Sequence, residues 1–289
     1  MSRDAGYSIN QLRDYSSLFT RSQAKQWIKG DFNSIDSKLN RYDRKWINYK
    51  NATYIDYLKH LYKILEENYP NEYIFKNSFL NNWLIDQLGT CQSKIFNEFR
   101  VGNAVADLVM FNGNSKAFEI KSELDTSNRL ELQLENYKQA FNQIFVVVPE
   151  SKIFEYEKFD NSIGIITFDS GSTKQFKLYR NAEVNHNIEA SVIMNILHTS
   201  EYKSIVKEYF GTLPKMTSFS QYQICKELIF QIPLMDLNKL FIHQMKKRLF
   251  DPTLSKRNYK EFNQINLSLK LSKKQKEEMI LNLKSSIKN

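Results

Sequence analysis

Cysteine is almost missing from this chain: Cys91 and Cys225 are the two among 289 residues. They cannot build a disulfide framework, and no metal-binding spacing surrounds either. The four histidines, His60, His186, His198 and His243, lie far apart and form no H-x-x-x-H or Cys/His grouping, which argues against zinc. Long uncharged apolar runs are also lacking, and the mean hydropathy is -0.53, so no segment reads as a spanning helix. Met1-Ser2-Arg3-Asp4 has no apolar signal-peptide core. The absence of a glycine-rich phosphate loop speaks against ATP use within the chain. The absence of G-x-S-x-G speaks against a serine nucleophile. No internal repeat or low-complexity tract is present. A cytoplasmic protein with two inert thiols and no membrane contact is the expectation.

What the chain does have is core material and positive charge. Hydrophobic residues make up 42% and aromatics 13%, and the length suits one large or two modest domains. The net charge is +9 and the pI about 9.2, a balance that favours a polyanionic partner. A solvated surface with surplus lysine accounts for the same charge equally well.

Residues 1-50 read as polar helices, the first capped by Ser8 and running to about Phe19. A stretch of cations interleaved with rings follows: Lys38, Arg41, Tyr42, Arg44, Lys45, Trp46, Tyr49 and Lys50. Such a stretch suits backbone contact and stacking on nucleic acid. The plainer reading packs the rings on the core and leaves the charges in water. A helical period runs from Thr53 to Tyr69 and ends at Pro70. A second helix, about Glu72 to Gln87, carries Phe75, Phe79, Trp83 and Leu84 on one stripe. Glu72 and Asp86 on it read as ordinary surface carboxylates.

Glu98 to Tyr137 is the stretch that carries chemistry. Ala117-Phe118-Glu119-Ile120-Lys121 alternates with a period of two, which predicts a strand with Glu119 and Lys121 on one face. Gly102-Asn103 reads as a two-residue hairpin loop, which sets Glu98 opposite Asp107. At Asn112-Gly113-Asn114 two registers are open. A three-residue loop sets Asp107 opposite Glu119 and gathers three carboxylates and a lysine on one face. A two-residue Asn112-Gly113 loop slips the register by one and turns Asp107 and Glu119 opposite ways. We take the three-residue loop because it assembles a chemically coherent site. Carboxylates this close repel, and a hard dication with oxygen ligands resolves the conflict. A lysine beside metal-bound water would complete the parts needed to hydrolyse a phosphodiester.

Capping signals at Asp125 to Asn128 predict a helix to about Asn142, with Gln133 and Tyr137 on one face of it. Ile144 to Val148 reads as a buried central strand closed by Pro149. A short helix from Ser151 to Phe159, a strand from Gly164 to Phe168 and an edge strand from Gln175 to Tyr179 follow. This order matches an α/β three-layer core. Beyond Asn181 five helices are expected: Ile188 to His198, Tyr202 to Phe210, Ser218 to Ile232, Leu234 to Phe250 and Ser272 to Ile287. Pro214, Pro233 and Pro252 punctuate them. Lys246, Lys247 and Arg248, followed by Lys256, Arg257 and Lys260, suit a nucleic-acid arm, a partner-binding lobe or, most simply, a solvated face.

Asp107 followed by Glu119-Ile120-Lys121 resembles the PD-(D/E)xK nuclease superfamily. The wider run resembles a bacterial family of small, poorly characterised members: Glu98, Asp107, Glu119-Ile120-Lys121-Ser122, Asp125-Thr126, Arg129-Leu130, Gln133 and Tyr137. The Gln133 and Tyr137 pair is similar to that of the RecB-like branch. Ala106 stands where the superfamily's name has Pro. The resemblance covers about Glu98 to Pro149.

It implies an α/β, restriction-endonuclease-like three-layer core, a mixed central sheet flanked by helices. Helical N-terminal and C-terminal extensions would be added to it. Residues 1-52 would form the first extension, 53-182 the nuclease core and 183-289 the C-terminal lobe. It further implies a metal-dependent deoxyribonuclease, with a defence role against foreign DNA. Asp107, Glu119 and the Ile120 carbonyl would bind Mg²⁺ or Mn²⁺, and Glu98 would bind directly or through water. Lys121 would position the attacking water, and Gln133 and Tyr137 would hold a phosphate or order Glu119. DNA is the expected partner. A homodimer, or a partner protein on the C-terminal lobe, is the expected assembly. The alternative is a catalytically silent nucleic-acid-binding or protein-interaction module on the same fold.

Overall fold

The computed structural model describes residues 6-89, 92-123, 125, 128-169, 172, 175-248, 254 and 258-287. Cys91, Thr126, Phe250, Pro252, Lys256 and Arg257, which bear on the sequence reading, lie outside the described residues. The chain divides into two units. One joins Met1–Gln87 to Phe250–Asn289, and the other is Leu88–Leu249. This differs from the division expected from sequence at residues 52 and 182. Residues 53-87 pack with the C-terminal segment, and residues 183-249 cluster with the sheet.

The first unit is helical. Helices α1 (Ile9–Ser16), α2 (Arg21–Ile28), α3 (Asn33–Tyr42), α4 (Tyr54–Asn68) and α5 (Glu72–Phe79) precede the sheet. Helices α12 (Asn263–Ser268) and α13 (Lys273–Leu283) return from the C-terminal side. Ser8, Thr20 and Thr53 cap α1, α2 and α4 through side-chain oxygens that accept Gln11, Gln23 and Asp56 N–H groups. Each cap satisfies one of the donors a helix start leaves unpaired. The core joins Tyr15, Trp27, Tyr54, Tyr57 and Leu61 to Phe262, Met279 and Leu283. At Leu80–Leu88 the expected helix continues after α5 as a π-helix. Glu72 is paired with Lys76 one turn on, at 2.6 Å.

The second unit is built on a six-stranded mixed sheet in the order β1-β2-β3-β4-β5-β6. Its strands are β1 (Lys94–Val101), β2 (Ala104–Phe111), β3 (Ser115–Ile120), β4 (Gln143–Pro149), β5 (Gly164–Phe168) and β6 (Phe176–Arg180). β1, β2 and β3 are antiparallel hairpin neighbours, β3, β4 and β5 run parallel, and β6 closes the edge antiparallel. The expected strands are all present, with Ile144 to Val148 in the sheet's centre as its unbroken apolar run requires.

Helix α6 (Leu130–Lys138) crosses from β3 to β4 and packs on β2 and β4, and α7 (Ile153–Tyr156) packs on β4. Helices α8 (Ala190–Ile196), α9 (Thr199–Phe210), α10 (Gln221–Ile229) and α11 (Leu234–Lys247) follow, with α8 against β1 and α11 against β2. Helix α6 starts later than its expected cap signals. Asp125 instead accepts from Ser122 N–H at 2.7 Å and Ser122 Oγ at 2.6 Å, so its carboxylate closes the loop after β3. Among the described residues no helix is long and apolar enough to cross a membrane.

Candidate active site

Two turns set the register that builds the site. Gly102 adopts φ +54°, and Asn136 Oδ1 lies only 2.6 Å from where a Cβ would stand, so a side chain there would clash as well as strain. The β1–β2 pairs run Asn97 with Leu108 and Phe99 with Ala106, which places Glu98 across from Asp107. Gly113, at φ +111°, sits in the second turn. There the β2–β3 pairs run Phe111 with Ser115 and Leu108 with Phe118. This is the three-residue-loop register, and its next step sets Asp107 across from Glu119. The alternative one-residue slip is excluded.

The ladder itself stops at that step. Ile120 N–H donates to Asp107 Oδ2 at 2.8 Å, so a side chain takes the place of the backbone acceptor. On the other side Lys121 N–H donates to the Val147 carbonyl at 2.9 Å, fastening the residue to β4.

Glu119 is the centre of the constellation and is 3% exposed. Its Oε1 accepts from Lys121 Nζ at 2.8 Å and Gln133 Nε2 at 2.8 Å, and its Oε2 accepts from Tyr137 Oη at 2.7 Å. Lys121 Nζ also donates to Gln133 Oε1 at 3.1 Å. Gln133 and Tyr137 reach Glu119 together because they lie one turn apart on α6. Burial, and next to it the charge of Asp107, raises the Glu119 carboxyl above its ordinary value; Lys121 and Tyr137 oppose this. Burial and the charge of Glu119 push the Tyr137 phenol up, so it stays protonated and donates.

Asp107, Glu119, Lys121, Gln133 and Tyr137 are therefore one connected group, with the Ile120 backbone between the two carboxylates. Glu98 does not complete a three-carboxylate cluster. Among the described residues no three His, Cys, Asp or Glu side chains group as metal ligands. The physical reason lies in its backbone. Glu98 sits at φ +51°, left-handed for a side-chain-bearing residue, and the strand is distorted where it would have paired with Asp107. Its side chain is exposed, whereas Glu119 is buried.

One further contributor is not signalled by any motif. Lys152 Nζ donates to the Glu123 and Asp125 carbonyls, the latter at 3.1 Å, and Ser151 Oγ donates to Glu123 at 2.7 Å. These bonds tie the loop that follows Lys121 to the end of β4. Only the fold brings residues 123 and 152 together.

Among solved structures, SPO1766, a protein of unknown function from Silicibacter pomeroyi, aligns over 52% of this chain and 78% of that one. The TM-score is 0.28 and the identity 11%, a likeness too slight to carry an argument. Protein cII of Enterobacteria phage P4 is 31% identical over 134 residues, which are 45% of this chain. The chain spans about half the length of that curated relative, 51%. The family model described as Bacteriophage P4 protein cII matches residues 65–280, a span that takes in every site residue from Glu98 to Tyr137. With most of its length so matched, the chain belongs to the bacteriophage P4 protein cII family.

Proposed function

We propose that the chain is a metal-dependent nuclease with a restriction-endonuclease-like core that hydrolyses DNA phosphodiester bonds. The observation that supports it above others is the meeting of Asp107, Glu119 and Lys121 at the β2–β3 junction, with Gln133 and Tyr137 holding Glu119 from α6. Two carboxylates meet one lysine there, Glu119 buried and Asp107 half-buried. The Glu119 oxygens accept three hydrogen bonds of about four they can take, so a ligand position is left. That donor set fits a hard dication, Mg²⁺ or Mn²⁺, which needs only one or two carboxylates beside phosphate oxygens and water. Asp107, Glu119 and the Ile120 carbonyl would hold it, with Glu98 acting through water. When bound, the ion supplies Lewis acidity and a more acidic water.

The chain's own residues do the rest. Lys121 is held by Glu119 and Gln133, so its ammonium is fixed where it can orient a water and offset charge on phosphate oxygens. Tyr137 and Gln133 fix the plane of the Glu119 carboxylate, and the Ile120 amide fixes Asp107.

Plasmid DNA incubated with Mg²⁺, with Mn²⁺ or with EDTA tests the reading. The wild type should cut only with metal, and Asp107→Ala and Lys121→Ala should each lose about a hundredfold or more in rate. Cutting that survives Asp107→Ala, or that proceeds in EDTA, sinks it.

The second reading is a silent nucleic-acid-binding or interaction module on the same fold. One observation favours it: a carboxylate only 3% exposed and held by three donors is also what a purely structural acid looks like. DNA binding with no metal-dependent cutting selects it.

A further inference from the structure

The positive charge of this protein is not spread over it. Met1–Gln87 with Phe250–Asn289 holds 22 Lys and Arg against 14 Asp and Glu, a net +8. Leu88–Leu249, which holds the candidate active site, has 19 against 18, a net +1. Three acids of the first unit also accept from hydroxyls inside it. Asp43 accepts from the hydroxyls of Tyr15 at 2.6 Å and Tyr57 at 2.8 Å, Asp36 from Tyr54 at 2.8 Å, and Glu66 from Ser78 at 2.9 Å. Carboxylates committed to hydroxyls do less to offset the unit's surplus of cations.

Those cations converge. Lys59 and Lys63 lie one turn apart on α4. Lys59 Nζ is 4.8 Å and Lys284 Nζ 5.7 Å from the centre of the same ring, Tyr259. His60, between the two α4 lysines, stacks 5.2 Å from Trp46, and Trp46 lies 5.7 Å from Tyr49. Lys63 follows His60 by three residues on α4, and Lys45 adjoins the Trp46 that lies against His60. Lys45, Lys63 and Lys284 are exposed, and Tyr49 is 54% exposed. Like charges gathered around half-buried rings repel one another, and a polyanion that passes over them relieves the repulsion.

We propose that the first unit is a DNA-binding module, contacting the phosphodiester backbone with Lys45, Lys59, Lys63 and Lys284 beside Tyr49 and Tyr259. The proposal rests on the nuclease reading only for its choice of DNA as the polyanion. None of the site residues belongs to this unit.

The test uses the full chain, a short fluorescein-labelled DNA duplex and EDTA, so that binding is read without cutting. Lys45→Gln/Lys63→Gln and Lys59→Gln/Lys284→Gln should each weaken binding by about tenfold at moderate salt. Each should also lower the log–log salt slope by about two. Lys207→Gln/Lys215→Gln, on the second unit, should bind as wild type does. Wild-type affinity in both first-unit pairs, or an equal loss in the second-unit pair, overturns the proposal. Metal-dependent cutting that fails while these binding losses stand removes the nuclease reading and leaves the module. Intact cutting with wild-type binding in all variants removes the module alone.

Discussion

Lys121 and Glu119 form a buried pair, with side chains 11% and 4% exposed. Removing one partner of such a pair leaves the other charge stranded. Lys121→Met should therefore cost about 3 kcal/mol in metal-free protein. Lys121→Met/Glu119→Gln should recover much of that, because the double change removes both charges. Urea unfolding in EDTA measures both, and equal losses in single and double variants would show that the pair is not the cause. Asp160 behaves oppositely to Glu119. Its hydrogen bond from Lys138, with help from Ser162, holds its carboxyl down to about 2. A depressed carboxylate adds stability above its unfolded pKa of about 3.9. That stability is lost as pH falls through the folded value. Asp160→Asn should thus flatten the loss of stability between about pH 4 and pH 2, with its small cost present at neutral pH and gone below about pH 2. Both partners are more than a third exposed, so solvent screening keeps the effect small. Unfolding midpoints measured across that window check it.

At the scale of elements, the sheet depends on a close approach at Gly164, the first residue of β5. A Cβ there would stand 2.4 Å from Phe145 Cδ1 and 2.8 Å from the Ala182 amide nitrogen. Backbone cannot yield as a side-chain tip does, so Gly164→Ala should destabilise the second unit by about 1–3 kcal/mol. A thermal melt that leaves Tm unchanged would contradict this. The strands were legible because period-two alternation and turn residues are local signals. Glu119 and Lys121 share a face because they are two apart, and the hairpin at Gly102 fixes its register by loop length. The start of α6 was not legible. Asp125 and Ser122 carry capping chemistry, and they spend it on each other in the loop after β3. The backbone conformation of Glu98 was not legible either. Strand periodicity points it at Asp107, and a single left-handed residue, costing roughly 1 kcal/mol, is not encoded in any alternation.

At the scale of the whole molecule, the first unit is made from both ends of the chain. Phe262, Ile265, Leu271, Met279, Leu283 and Ile287 complete a core begun by Leu12, Tyr15 and Trp27. A chain ending at Leu249 loses all six. It should lose hydrogen-exchange protection throughout α1 to α4 while the amides of β3 and β4 stay protected. Retained protection in α4 would show that the N-terminal helices hold together without the returning segment.

What the sequence by itself determined is the set of strands and helices and the caps of α1 and α4, while it left open the register that brings Asp107 across from Glu119. Each follows from backbone geometry over a few residues. What only the tertiary structure decided is which distant segments share a core and which cations gather around the same ring. Trp27 and Phe262 meet because burying aromatic surface favours contact regardless of separation along the chain, and no short-range pattern records that choice.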